Sequence, residues 1–138
     1  MTFDGLNFLA ILIATVAAFG LGAVWYSPML FGSTWQRLVG LSDEDIKNSN
    51  MAKIFGLAFI LTFIAALLMA TMMEVIMMLG ASVVLGMVYG ALVAMAFVMT
   101  SLGINYLFAR RSAKLYFIDA GYLFFMFVIM GAIIGAMP

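Results

Sequence analysis

All six basic residues of this chain fall in two short stretches, and four long apolar runs surround them. Arg37, Lys47 and Lys53 lie in the first stretch, and Arg110, Arg111 and Lys114 in the second. Residues 1–36, 54–109 and 115–138 contain no Lys or Arg. A chain built this way is expected to fold as an integral membrane protein whose orientation is written in its charges. Of its 138 residues 67% are hydrophobic and 9% charged. A soluble domain carries roughly a quarter charged residues, so there is too little polar surface here to cover a globule in water. The length fits one domain, residues 1–138.

A helix needs ~20 apolar residues to cross the hydrocarbon core. Four segments meet that length: about 6–26, 54–73 (with room to run on to Leu79), 82–108 and 115–137. Helix is the expected conformation, because an open sheet would leave backbone groups unpaired in lipid and no ten-residue alternating strands occur. Basic residues near the ends of spans stay on the cytoplasmic side. The loops 27–53 and 109–114 are therefore expected inside, and both termini outside. Met1-Thr2-Phe3-Asp4 lacks the basic region of a secretory signal, so the first apolar run reads as a retained helix. The two helical hairpins then share one orientation. Gly22-Ala23-Val24-Trp25-Tyr26 matches Gly103-Ile104-Asn105-Tyr106-Leu107 so poorly that chance is a better account than duplication.

The first loop has local order of its own. Pro28 disfavours helix in the residue before it, so helix one should stop there. Leu30, Phe31, Trp35, Leu38 and Val39 recur at near-helical spacing, and Trp35 suits a headgroup region. A short interfacial helix ending at Gly40 follows. Ser42 then caps a further turn, accepting from the amide of Asp45, with acidic side chains at the positive helix end. That turn is expected to lead into span two.

A net charge of +0 gives no reason to expect nucleic acid, and the absence of Cys and His removes disulfides and the usual zinc or iron ligands. It also removes the commonest general base at neutral pH. No nucleophile–base pair, phosphate-binding glycine loop or paired catalytic carboxylates appear. Asp43, Glu44 and Asp45 form the one acidic cluster, which capping explains better than metal binding. The reading is an all-α membrane protein that is not an enzyme and takes no cofactor.

Trp25-Tyr26-Ser27-Pro28, Leu30-Phe31-Gly32, Trp35 and Leu41-Ser42-Asp43-Glu44-Asp45 resemble the first half of a family of small bacterial membrane proteins, catalogued as domain of unknown function 1761. Asn105-Tyr106-Leu107-Phe108, Arg110-Arg111-Ser112, Ile118-Asp119-Ala120-Gly121-Tyr122 and Met130-Gly131-Ala132-Ile133 resemble its second half. The resemblance covers essentially the whole chain and implies a four-helix protein of the bacterial inner membrane. It implies no activity. Ala109 stands where the resemblance leads one to expect an acidic residue, and Asp119 where it leads one to expect asparagine.

Asp119 is the leading candidate site. It lies about four residues inside span four, ~6 Å below the cytoplasmic boundary, and an ionisable group there is a functional-site hypothesis by default. Asn105, Tyr26 and Ser27 fall at similar depth, and Tyr122 shares a helix face with Asp119. Arg110, Arg111 and Lys114 lie just beyond. Those cations are within reach of an aspartate, so the cluster reads either as an ion-pair or hydrogen-bond clasp that fixes helices three and four, or as a proton- or ligand-binding site. A second candidate is Met69, Met72, Met73, Met77 and Met78, soft ligands that would select Cu(I). Thioethers also fill gaps between helices, which suits a chain with 14 Met. Small residues recur every four positions: Ala10, Ala14, Ala18 and Gly22 on span one, Ser82, Gly86, Gly90 and Ala94 on span three, Gly131 and Gly135 on span four. They let helix backbones approach closely in lipid, and three such ridges leave room for a homo-oligomer. Glu74 reads as a solvated turn residue, with a cation site at an outer vestibule as the alternative.

Two function classes stay open. One is a structural or accessory membrane component that packs with itself or with a larger complex, its constant partner being the bilayer. The other is a small oligomeric transporter or channel, with Asp119 as coupling or selectivity residue.

Overall fold

The computed structural model describes residues 4–138. Its elements are helices, with no strand among the described residues. Helix α1 (Phe8–Trp25) starts at Asn7, whose side chain accepts from the Ala10 amide at 3.1 Å. Helix α2 (Gly32–Val39) ends at Gly40, which takes the left-handed φ of 84° that glycine adopts without a Cβ penalty. Helix α3 (Asp43–Asn48) opens with the expected cap. Ser42 accepts from the Asp45 amide at 3.0 Å, and the Asp45 carboxylate accepts from the Ser42 amide at 2.9 Å.

The expected continuation of α3 into the second span does not occur. Ser49 is extended, and Asn50 starts a new helix, α4 (Met51–Met77), by accepting from the Lys53 amide. Two polar side chains that cap more readily than they propagate break the helix there. Helix α5 (Val83–Val93) starts at a Ser82 cap and passes through a π-helical turn (Ala94–Met99) into helix α6 (Thr100–Phe108). Helix α7 (Ala113–Ala136) starts at a Ser112 cap. Four helical segments, Phe8–Trp25, Met51–Met77, Val83–Phe108 and Ala113–Ala136, are long and apolar enough to cross a membrane.

Helix α7 is the centre of the packing. It has α1 on one side and α5 on the other, while α4 packs on α1 and touches α7. Ile11, Ala14 and Ala18 of α1 meet Ala66, Met69, Ala70 and Met73 of α4 and Met126, Phe127, Met130 and Ile134 of α7 in one core. Asn7 donates to the Met137 carbonyl at 3.2 Å, which ties the two ends of the described chain together. The opposite end carries both basic loops, and we call it the basic end.

The small-residue ridges are packing faces inside one chain. A Cβ on Gly86 would stand 1.9 Å from the Gly131 carbonyl oxygen, one on Gly90 2.1 Å from that of Phe127, and one on Gly135 2.4 Å from that of Ser82. Backbones at that separation admit only hydrogen. Ala14 and Ala18 are buried, and Gly22 lies under the Tyr122 ring. The ridges are thus occupied within the protomer and supply no argument for an oligomer. Buried hydroxyls turn back on their own helices: Thr15 donates to the Ile11 carbonyl at 2.8 Å and Thr71 to that of Leu67 at 2.9 Å. Among the described residues no buried side-chain nitrogen or oxygen lacks a partner.

The turn between α6 and α7 holds one unusual residue. Arg110 has φ 55°, its amide donates to the Leu107 carbonyl, and the Arg111 amide donates to that of Tyr106 at 2.9 Å. This is the Schellman closure of a helix, with arginine in the left-handed position that glycine usually fills.

Candidate functional site

The site is built where the two ends of the chain's aromatic sequence motifs meet. The Trp25–Gly32 segment folds into a compact turn at the end of α1. The Phe31 amide donates to the Trp25 carbonyl at 3.1 Å, and the Gly32 amide to that of Ser27 at 3.0 Å. Gly32 has no room for a side chain, since its Cβ would stand 2.4 Å from the Tyr26 carbonyl oxygen. The Phe31 ring lies against Trp25, with centroids 4.9 Å apart. This turn fixes where Trp25 and Tyr26 project.

Both project onto α7. The Trp25 indole N–H donates to the Ile118 carbonyl at 2.9 Å. Its ring passes over Gly121, where a Cβ would be 2.9 Å from Cζ2. The Tyr26 hydroxyl donates to one carboxylate oxygen of Asp119 at 2.6 Å. The Tyr106 hydroxyl, from α6, donates to the other. Asp119 thus joins three of the long helices through its two oxygens. Tyr122, three residues on, donates to the Ala18 carbonyl at 3.1 Å and packs edge-on against Tyr26 at 5.3 Å. Trp35 of α2 also packs edge-on against Tyr26 at 5.7 Å. Asp119, Tyr26, Tyr106 and Tyr122 are all half-buried.

A carboxylate in a helix of this apolarity is costly unless its lone pairs are engaged. Two phenol donors, each braced by neighbouring rings, meet that need without a cation. The expected basic partners are not the ones holding it: Arg110 and Arg111 are exposed, and the carboxylate accepts from tyrosines instead. Of the residues proposed from sequence, the structure brings together Asp119, Tyr26 and Tyr122. Ser27 lies in the adjoining turn and donates to the Val24 carbonyl at 2.7 Å. Asn105 is exposed. Its neighbour Tyr106 reaches Asp119, because one residue along a helix turns the side chain by about 100°. Tyr106 and Trp25 were missed by sequence reasoning. The signal for Tyr106 was its depth, which matches that of Tyr26.

The other candidates disperse. Met69 and Met73 are buried in the core, whereas Met72 and Met78 are exposed, so the five thioethers do not converge on one face. No group of three or more Asp or Glu suited to a metal ion occurs among the described residues. Glu74 is half-buried and borders a small cavity of about 30 Å³ with Gly5, Asn7 and Ala70 at the end that holds the described termini. A shallow cleft lined by Ser33, Gln36, Arg37 and Asp43 lies between α2 and α3.

A family model described as "Protein of unknown function (DUF1761)" matches residues 9–135. No curated protein and no solved structure matches the chain.

Proposed function

We propose that this chain, which belongs to the DUF1761 family of proteins of unknown function, is a structural or accessory component of the bacterial inner membrane, packing with itself or with a larger membrane complex. Loops 27–53 and 109–114 face the cytoplasm in this reading, with α2 lying on the inner membrane surface. The observation that carries it is the engagement of both Asp119 oxygens by tyrosines from two other helices, as a fastening requires. The two cavities described above lie away from it. The chain has no catalytic chemistry in this reading and supplies its complex with shape rather than reaction.

The decisive experiment is the mass of the purified protein in native-like lipid, with every co-purifying subunit identified. A stoichiometric foreign partner, or a stable self-assembly without flux of ions or small solutes, is the expected result. A homo-oligomer whose solute flux is abolished by Asp119→Asn would overturn it in favour of a small transporter or channel, with Asp119 coupling or selecting.

A further inference from the structure

The third long helix is attached to α7 in two unlike ways, and a π-helical turn separates them. Above the turn, α5 and α7 interlock through Gly86, Gly90, Gly131 and Gly135, where backbone meets backbone. Below it, α6 buries no residue and touches α7 only sparsely. What fastens α6 there is a pair of phenols. Tyr116 of α7 donates to the Met99 carbonyl at the end of the π turn at 3.0 Å, and Tyr106 of α6 donates to Asp119 of α7. A π turn breaks the regular i→i−4 ladder and is a recurrent place for helices to bend. Its loosened carbonyls are taken up by side chains here. Besides Tyr116 on Met99, the Thr100 hydroxyl bonds the Ala96 carbonyl at 2.8 Å.

We infer that Thr100–Phe108 is a hinged arm. It pivots at Ala94–Met99 and is latched shut by the Tyr106–Asp119 hydrogen bond. With the latch open, the arm swings from α7 at the basic end while α5 stays locked at the other. The movement bares the Asp119 carboxylate and the Tyr106 and Tyr116 rings, which pack 6.1 Å apart in the closed form. The hydrogen bonds at the latch are the kind of interaction that a partner or a polar headgroup can exchange for its own, whereas the glycine interlock is not. This goes beyond the accessory reading and holds for either function class.

The chain has no cysteine, so spin labels can be placed without background. One pair, Val24→Cys with Leu107→Cys, reports the basic end. The other, Leu9→Cys with Val84→Cys, reports the interlocked end. All four positions are exposed. Pulsed electron–electron distance measurements are made on the full chain in lipid nanodiscs. Tyr106→Phe should add a longer distance at the basic-end pair, raising the open fraction by about three- to fivefold, and leave the other pair unchanged. Tyr116→Phe should do the same more weakly. An unaltered basic-end distribution in both variants would overturn the hinge. So would equal broadening of both pairs, which reports a whole helix coming loose. Should Tyr106→Phe fail to fold, Tyr116→Phe alone carries the comparison.

Discussion

Trp25 lies so close over Gly121 that a methyl group there would sit 2.9 Å from its Cζ2. The contact joins residues from the first and last long helices, and the indole N–H donates to the Ile118 carbonyl beside it. Gly121→Ala should therefore push the ring off its acceptor. The expected loss is about 1–2 kcal/mol, the range for inserting a methyl group into a packed site. Thermal unfolding in detergent measures it. Trp25→Phe in the Gly121→Ala background should cost much less than in the native one, because the smaller ring no longer meets the methyl group. An additive pair would mean that the two residues do not act on each other.

Glycine substitutions should separate by sign. At Gly86 the added Cβ would meet the Gly131 carbonyl oxygen at 1.9 Å, an obstacle made of backbone that cannot rotate away. Gly86→Ala should lose several kcal/mol, above the usual range of about 1–3 kcal/mol for overpacking, and folded protein should be scarce. Gly20 and Gly56 sit inside helices with nothing within 4 Å of the added atom. Gly20→Ala and Gly56→Ala should stabilise the protein by about 0.5–1 kcal/mol each, since alanine gives up less backbone freedom in a helix. Recovery of the folded species on size exclusion, with melting temperature beside it, tells the classes apart.

The helices and their small-residue faces were legible in the sequence because lipid leaves the backbone few options. Runs of apolar residues, a period of four in Ala14, Ala18, Gly86 and Gly90, and capping side chains such as Ser42 are local signals. The site was legible only in part. Asp119, Tyr26 and Tyr122 stand out as polar or amphipathic groups at one depth. Which residue of α6 reaches Asp119 depends on helix phase, and the π turn at Ala94–Met99 shifts that phase without a proline or glycine to announce it. Arg110 was equally opaque. An arginine in a left-handed turn position is held there by the Schellman bonds around it, and no residue type signals that. The break between α3 and α4 falls at Ser49 and Asn50, polar residues that each prefer to cap, and so interrupts the expected lead-in to the span.

The capping box at α3 makes a prediction about pH. The Asp45 carboxyl is held below its ordinary range, chiefly by the hydrogen bond from the Ser42 amide and then by that from the Ser42 side chain. A carboxyl whose folded pKa is depressed contributes stability that is present above its unfolded value of about 3.9 and is lost as pH falls through the folded value. The cap should therefore hold at neutral pH and release only in acid below about pH 4. Carbon-detected titration of the Asp45 carboxyl in micelles should give a midpoint below that of Asp45 in Ser42→Gly. Equal midpoints would mean that the Ser42 hydroxyl adds nothing to the amide bond, which glycine at 42 still donates.

Asp119 is where the fastening and the transport readings diverge most sharply, and three variants resolve them. Asn keeps one oxygen acceptor but no charge, so Asp119→Asn can still take a hydrogen bond from Tyr26 or Tyr106. Hydrogen bonds between helices in membranes average about 0.6 kcal/mol, so the loss of one should cost about 1 kcal/mol and leave assembly intact. Asp119→Ala removes both acceptors and strands two half-buried phenols. Its cost should be about 2–4 kcal/mol, since unpaired polar groups away from water are penalised individually. Tyr26→Phe with Tyr106→Phe leaves the carboxylate without donors, and should be at least as damaging as Asp119→Ala because a bare charge in lipid costs more than a bare hydroxyl. The stability order expected for a clasp is thus native, then Asp119→Asn, then Asp119→Ala, with the double tyrosine variant last or level with it. Melting curves in nanodiscs give that order directly. An Asp119→Asn protein as stable as the native one, fully assembled, yet without a solute flux that the native protein sustains, would show that the carboxylate's charge rather than its acceptors is what the protein uses.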